Sequence, residues 1–398
     1  MDTYLLDWAN LLLRWLHVIV GIAWIGSSFY FVWLDNHLTP PQDDDLKARG
    51  VNGELWAVHG GGFYNPQKYA VGPRRMPSGT LHWFYWESYS TWLSGFALFV
   101  VLYLWNARSF LVDPARLDWS PLAAGSAAVG FLLAGWVVYD LICRVFGRNR
   151  DGSIGGDARV LGLVFVFVAA TTWLACQLFA GRAAFLIIGA MLGTIMSANV
   201  AHWIIPGQRK VVADLQAGRT PDPIHGQRGK QRSVHNTYFT LPVLVTMLSN
   251  HYGMLYQHQH NWVVLVVLMA VGALVRQFFV LRHKGRQHWG LVAASLALLA
   301  GLVVWLAPAH TSTAGSAQPP TLAQVQAIVQ LRCVACHNAV LQNKGVALHT
   351  PELTARHAQA IYQQVVLQKL MPLNNATQMT DDERRTLQRW AQAGRPEP

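Results

Sequence analysis

Residues 288–337 read HWGLVAASLALLAGLVVWLAPAHTSTAGSAQPPTLAQVQAIVQLRCVACH. The run from 288 to 308 is apolar and long enough to cross a hydrocarbon core. Residues 309–320 (AHTSTAGSAQPP) have the Ser, Ala, Gly and Pro content of a linker. Thr321 then stands where a helix N-cap is needed. The stretch closes on Cys333-Val334-Ala335-Cys336-His337, the C-x-x-C-H pattern of covalent c-type haem attachment. In such a site two thiols form thioethers with the haem vinyl groups, and the adjacent histidine ligates the iron. One stretch therefore implies two bodies, a membrane bundle over 1–308 and a small all-α haem domain over 321–398, joined by 309–320.

Working outward, the composition agrees. Of 398 residues, 52% are hydrophobic and only 13% are charged. The expected fold class is all-α, with about eight membrane helices near 9–33, 82–106, 121–143, 160–180, 184–206, 236–256, 261–281 and 288–308. The sixth is the most polar. Asp2 and Asp7 ahead of the first apolar run, with no small-residue cleavage site, argue against a cleavable signal. Cys143 and Cys176, alone in apolar runs, read as small buried hydrophobes.

A formal charge of +11 would point to nucleic acid in a soluble protein, but here a loop bias explains it and no nucleic-acid partner is expected. Lys47, Arg49, Lys68, Arg74 and Arg75 fall between helices one and two. Arg144, Arg148, Arg150 and Arg159 fall between three and four. Arg209, Lys210, Arg219, Arg228, Lys230 and Arg232 fall between five and six, and Arg282, Lys284 and Arg286 between seven and eight. The alternate loops carry only Arg108, Arg116 and Arg182. The heavily basic loops are expected in the cytoplasm of a bacterial inner membrane. Both termini then lie on the periplasmic side, where c-type haem is attached. The charge argument does not use the haem motif, yet it reaches the same side.

In the C-terminal domain a helix is expected from Thr321, a second over about Thr354–Leu370, and a last one from the capping box Thr380-Asp381-Asp382-Glu383 to near Gly394. His337 is one iron ligand. Met371 and Met379 are the candidates for the other, with His349 and His357 also present; Met371, in the loop before the last helix, is preferred. Trp390 is expected to pack on the haem edge.

Polar residues inside membrane helices mark function more often than not. His17 and His251 fall in the outer half and are expected to ligate a b-type haem close to the haem c domain. His82, Glu87, Asn199, His202, His235, Asn236 and Thr237 fall nearer the inner side and are expected to hold a small polar substrate. Asn199 and His202, three apart, would share a helix face. His59-Gly60-Gly61-Gly62 reads as a flexible or ligand-facing loop, and Asp43-Asp44-Asp45 as a solvated turn.

At these residues the chain resembles the membrane-bound urate hydroxylases, in which a urate oxidase N-terminal membrane domain is fused to a cytochrome c. The resemblance spans nearly the whole chain. It rests on His59-Gly60-Gly61-Gly62-Phe63-Tyr64, Leu81-His82-Trp83-Phe84-Tyr85-Trp86-Glu87, Met196-Ser197-Ala198-Asn199-Val200, and His235-Asn236-Thr237-Tyr238 through Asn250-His251-Tyr252. Helix one also resembles, over a shorter stretch, the His-bearing first helix of membrane haem b proteins of the protoporphyrinogen oxidase type. The first resemblance implies oxidation of urate to 5-hydroxyisourate with oxygen from water. Electrons would leave through haem c to a respiratory cytochrome or terminal oxidase, without hydrogen peroxide. On that reading Asn199 and Asn236 supply amides, His202 or His235 accepts a proton, and Glu87 is the alternative base. Three other functions fit the residues: a quinol-oxidising membrane cytochrome, a non-enzymatic electron relay, and a haem-handling enzyme.

Overall fold

The computed structural model describes residues 2–73, 79–149, 151–283, 285–307 and 318–394. Arg74, Arg75, Arg150, Lys284 and most of the 309–320 linker lie outside the described residues. The N-terminal part runs α1 (Asp2–His37), α2 (Asp44–Ala48), β1 (Val51–Glu54), β2 (Ala57–His59), β3 (Gly62–Tyr64), β4 (Gln67–Tyr69), α3 (Trp86–Phe99) and α4 (Ala107–Phe110). It continues through α5 (Pro121–Phe146), α6 (Asp157–Leu178), α7 (Gly181–Asn199), α8 (Ile205–Gln216), α9 (Pro223–Leu248), α10 (Gly253–Tyr256), α11 (Asn261–His283) and α12 (Trp289–Trp305). The C-terminal part holds α13 (Leu322–Arg332), α14 (Pro351–Arg356), α15 (Ala358–Ile361) and α16 (Asp381–Gln392).

Helices occupy all eight expected positions. Among the described residues, five are long and apolar enough to cross a membrane: Tyr4–His37, Pro121–Phe146, Asp157–Leu178, Gly181–Gln216 and Asn261–His283. They support an integral membrane protein with an all-α, polytopic bundle. The core is built from α5, α6, α7 and α11, with Ile187, Ile188, Met191 and Leu265 fully buried. Close approach of α7 to α9 depends on Gly189, where a Cβ would sit 1.9 Å from Thr246 Oγ1.

Two helices differ from the sequence expectation. The fifth does not stop at Pro206. A π turn over Val200–Ile204 carries α7 into α8, so one rod runs from 181 to 216. The wider turn accommodates a proline that an α-helix interior would resist. The sixth begins at Pro223 rather than 236 and ends at Leu248. Its polar first half is helical because Asp222 caps it, accepting from Ile224 N at 2.9 Å, and because Arg232 is buried against α5. Arg228, Lys230 and Arg232 are therefore helix residues, not loop residues.

Between α1 and α3 lie four short strands, where no sheet was expected. They pair as β1–β4 and β2–β3. The His59–Gly62 run is the tight turn of the β2–β3 hairpin, with Gly60 (φ 59°) and Gly61 (φ 81°) both left-handed. Asp43 caps α2, accepting from Asp45 N at 2.8 Å.

The C-terminal domain has its own core of Val325, Val329, Ile361, Val365, Met379, Leu387 and Trp390. Thr321 and Thr380 each complete a capping box, with Gln324 and Glu383. The middle helix of the domain is broken at His357 and continues as a π turn over Tyr362–Leu367. The domain docks on one end of the bundle. There Lys344 pairs with Asp7 of α1 at 2.7 Å, Asn374 donates to the carbonyls of Ser109 and Phe110, and Gln257 donates to Lys369 O. At the other end, around Trp203, lie Arg144 in the last turn of α5 and Arg148 just after it.

Candidate functional site

A single cavity of about 2240 Å³ runs from the C-terminal domain down into the helix bundle. Cys333, Cys336, His337 and Met371 line one end of it, and α1, α3, α7 and α9 enclose the other. His17 and His251 line it as well. All six residues expected to hold cofactors therefore face one space.

At the domain end, α13 delivers the motif. The N–H groups of Cys336 and His337 both reach Cys333 O, at 3.1 and 3.0 Å, closing a tight turn. His337 Nδ1 lies 3.1 Å from Val346 O. A bond to a carbonyl places the proton on Nδ1 and leaves Nε2 free as a ligand. Burial pushes the Cys333 thiol up to about 11, so as a free thiol it would be a poor thiolate. Met371 is held at the cavity by Arg384, whose Nη1 donates to Met371 O at 2.9 Å. Met379 is buried in the domain core and does not line the cavity. The chemistry of this set, two thiols, an imidazole and a thioether around one end of the cavity, would suit a covalently attached haem held by Cys333, Cys336, His337 and Met371. Trp390 is buried in the core of the same domain.

In the membrane half, His17 Nδ1 lies 3.1 Å from Thr91 O and 3.0 Å from Ser94 Oγ. It shows the same pattern, with Nε2 left over. His251 lies toward the docked domain, two residues before Gly253, where a Cβ would meet Gln368 O. Its neighbour Asn250 accepts from Tyr103 and Arg182, each at 3.1 Å. Tyr103 is twelve residues beyond Thr91, in the π turn Val100–Leu104 that follows α3. Of the expected His17–His251 pair, His17 is fixed against α3 and His251 lines the same cavity nearer the docked domain.

The residues expected to hold substrate lie outside this cavity, and only some of them meet. Asn199 Nδ2 donates to Tyr139 OH and to Asn236 Oδ1, each at 3.0 Å. Tyr139 OH is 2.8 Å from His235 Nδ1, and Asn236 Nδ2 donates to Met196 O at 3.0 Å. Beside this network Arg232 pairs with Asp140 at 2.7 Å, both nearly excluded from solvent, and its guanidinium lies 5.0 Å from the Tyr139 ring centre. Asp140 also accepts from Trp203 Nε1 at 2.7 Å and pairs with Arg144 at 2.6 Å. Two buried atoms here have no partner, Asn199 Oδ1 and Arg232 Nη1. A pocket of about 20 Å³ among Arg144, Arg148, Trp203, Arg228 and Arg232 lies on the Arg232 side of the network. Met196 and Thr240, which bond to Asn236 on this side, line the large cavity on the other.

His202 is not in this network. Its ring is exposed, bonds Ala198 O at 3.1 Å and rests 4.7 Å from Trp136. The π turn that begins after Asn199 adds a residue to the turn, and the shared face with Asn199 is lost. Glu87 opens α3 with its buried Oε2 unpartnered. Thr237 is buried and bonds Ser233 O at 3.1 Å, within its own helix. His82 is exposed and packs on Phe84.

Sequence reasoning missed Tyr139, Asp140 and the burial of Arg232. A signal existed: Asp140 interrupts the run Val137-Val138-Tyr139-Asp140-Leu141-Ile142, and an ionisable group inside a spanning run calls for a partner. Arg276 interrupts Leu274-Val275-Arg276 likewise; it is buried, with Nε and Nη2 unpartnered and its guanidinium 4.7 Å from the Phe29 ring centre.

The family model described as urate oxidase N-terminal matches residues 3–307, about three quarters of the chain. The chain belongs to this family. The membership supports an oxidoreductase with a urate-related function, carried by the helix bundle. No curated protein and no solved structure gives a match. The family segment stops before α13, so the C-x-x-C-H domain is an addition to the urate oxidase N-terminal region.

Proposed function

We propose that this protein is a membrane-bound urate hydroxylase that passes its electrons outward through a covalent haem c. The reaction is urate plus water giving 5-hydroxyisourate, two protons and two electrons. Oxygen comes from water, and because the two electrons pass to the haem and not to dioxygen, no hydrogen peroxide forms. The observation that carries the reading is the cavity, which in a urate oxidase N-terminal bundle has the C-x-x-C-H motif at its far end.

The substrate end is the network of Tyr139, Asn199, His235, Asn236 and Arg232. Urate is an anion, and Arg144, Arg148, Arg228 and Arg232 surround its approach; among the described residues, Asp140 is the one carboxylate in ion pairs with them. The adjoining pocket is too small for a purine, so Arg144, which is half exposed, swings outward on binding. The unpaired Asn199 Oδ1 accepts an N–H of the ring, and Arg232 Nη1 donates to a ring carbonyl. Convergent polar groups of this kind orient a flat, hydrogen-bond-rich ligand. His235 takes one released proton through Tyr139. A haem held by Cys333, Cys336, His337 and Met371 would accept electrons one at a time and pass them to a respiratory cytochrome or terminal oxidase. The motif end of the cavity lies on the periplasmic side in this reading.

Anaerobic mixing of the purified protein with urate or with a quinol, while haem absorption is followed, tests the proposal. Urate is expected to reduce the haem, and oxygen-18 water is expected to label the product. Reduction by quinol and not by urate would replace this reading with a quinol-oxidising cytochrome.

A further inference from the structure

A haem attached to Cys333 and Cys336 accounts for only part of the cavity. At about 2240 Å³ it is more than twice the upper end of the roughly 300–1,000 Å³ typical of single ligand sites. Asp7 touches the C-terminal domain through Lys344, and His17 lies ten residues further along α1, roughly 15 Å deeper. The space around His17 is a site of its own.

Four features describe what it takes. The first is His17 itself, whose Nδ1–H is tied to Thr91 O and Ser94 Oγ, leaving Nε2 as a free donor atom on a fixed ring. The second is the fit around that ring: a Cβ on Gly95 would lie 2.8 Å from His17 Cε1, so only glycine leaves the imidazole in place. The third is flatness. Gly21 and Gly193 line the cavity with nothing within 4 Å of where their Cβ atoms would be, which leaves open wall on α1 and α7. The fourth is charge: Arg14, one turn above His17, and Arg182 line the same cavity, and neither has a carboxylate partner among the described residues. A large flat apolar group with one nitrogen-seeking metal and two carboxylates satisfies all four. A quinone or a lipid tail would use neither the fixed Nε2 nor the two guanidinium groups.

We propose that the membrane half of this cavity binds a second, non-covalent haem with His17 Nε2 as an iron ligand. Trp92 Nε1 donates to Thr194 Oγ1 at 3.1 Å, which sets Thr194 level with the His17 partners, and the nearby cavity wall from α7 and α9 includes Gly193 and Thr240. The site stands between the Met196–Thr240 wall of the polar network and the C-x-x-C-H motif. It does not depend on which substrate reduces the protein.

The test is pyridine haemochrome analysis of the purified full chain, before and after acid-acetone extraction. Two haems per chain are expected, one extractable and one retained. In His17→Ala the extractable haem should fall at least tenfold while the retained haem persists, which also shows that the chain has folded. Exogenous imidazole should restore it. If His17→Ala does not accumulate, Gly95→Ala decides, because it keeps every ligand but drives a methyl into the His17 ring. Wild-type protein with only the retained haem would overturn the proposal, as would recovery of quinone in place of extractable haem. Full extractable haem in both variants would overturn it equally.

Discussion

In the C-terminal domain the His337 ring is tied through Nδ1 to Val346 O at 3.1 Å, and in the bundle the His17 ring is tied through Nδ1 to Thr91 O at the same distance. Each leaves Nε2 toward one shared cavity. What surrounds them differs. Beside His337 stand two cysteines fixed by the register of one turn, so the whole device is five consecutive residues. Beside His17 stand Thr91, Ser94 and Gly95, more than seventy residues away in sequence on another helix. The first arrangement survives as a pattern in the chain; the second exists only once α1 has packed on α3. The polar network is more extreme, since its members come from α5, α7 and α9.

The comparison predicts different consequences when each end is damaged. The largest concerns the motif. Cys333→Ser with Cys336→Ser should abolish covalent haem altogether and, with it, any urate-driven absorption change. Haem staining of a denaturing gel reads this directly, and staining that survives would remove the motif from the proposed electron path. The polar network should respond through stability as much as turnover. Removing one partner of a buried ion pair costs about 3–5 kcal/mol. Arg232→Ala leaves Asp140, nearly excluded from solvent, with only the half-exposed Arg144 and Trp203. It should lower the melting temperature in detergent and abolish urate turnover. Asn199→Ala, which removes an unpaired acceptor and two donated bonds, should keep most of the stability and still lose turnover. Arg232→Ala with an unchanged melting profile and full activity would show that the network is neither structural nor substrate-binding.

How far the chain could be read follows the same line. The helical fold was legible because apolar runs of spanning length need no partner to be recognised, and because Thr321–Gln324 and Thr380–Glu383 are local capping signals. The π turn at Val200–Ile204 was not, and its omission put His202 on the wrong face. Burial of Arg232 was hidden because a basic residue beyond an apolar run looks like a loop charge until Asp140 is seen to need it. The β2–β3 hairpin was read as an open loop, although two consecutive glycines are what a tight turn with positive φ requires.

A finer test lies within the C-terminal domain, between its two downstream methionines. Met371 lines the cavity, and Met379 packs in the core. Met371→Ala should lower the midpoint potential of the covalent haem and change its low-spin signal, because methionine ligation raises the potential. Met379→Ala should leave the potential alone and cost about 2–5 kcal/mol of stability, the usual penalty for truncating a buried methionine. Redox titration beside thermal unfolding separates the two. The opposite pattern would exchange their roles.

The smallest effect is expected where the two regions meet. Lys344 and Asp7 form the one ion pair between them among the described residues, at 2.7 Å, but both side chains are more than half exposed. An exposed pair of this kind is worth about 0–1 kcal/mol and is screened by salt. Docking rests more on Asn374, which donates to the carbonyls of Ser109 and Phe110, and on Gly253, where a Cβ would lie 2.2 Å from Gln368 O. Lys344→Ala should therefore change the rate of urate-dependent haem reduction by no more than about twofold, across low and high salt. Gly253→Val should slow it much further, because it forces the domain off α10 and opens the cavity between motif and bundle. If Lys344→Ala alone uncouples the haem from urate, and the loss deepens with salt in the wild type, then charge rather than close packing holds the two ends of the cavity together.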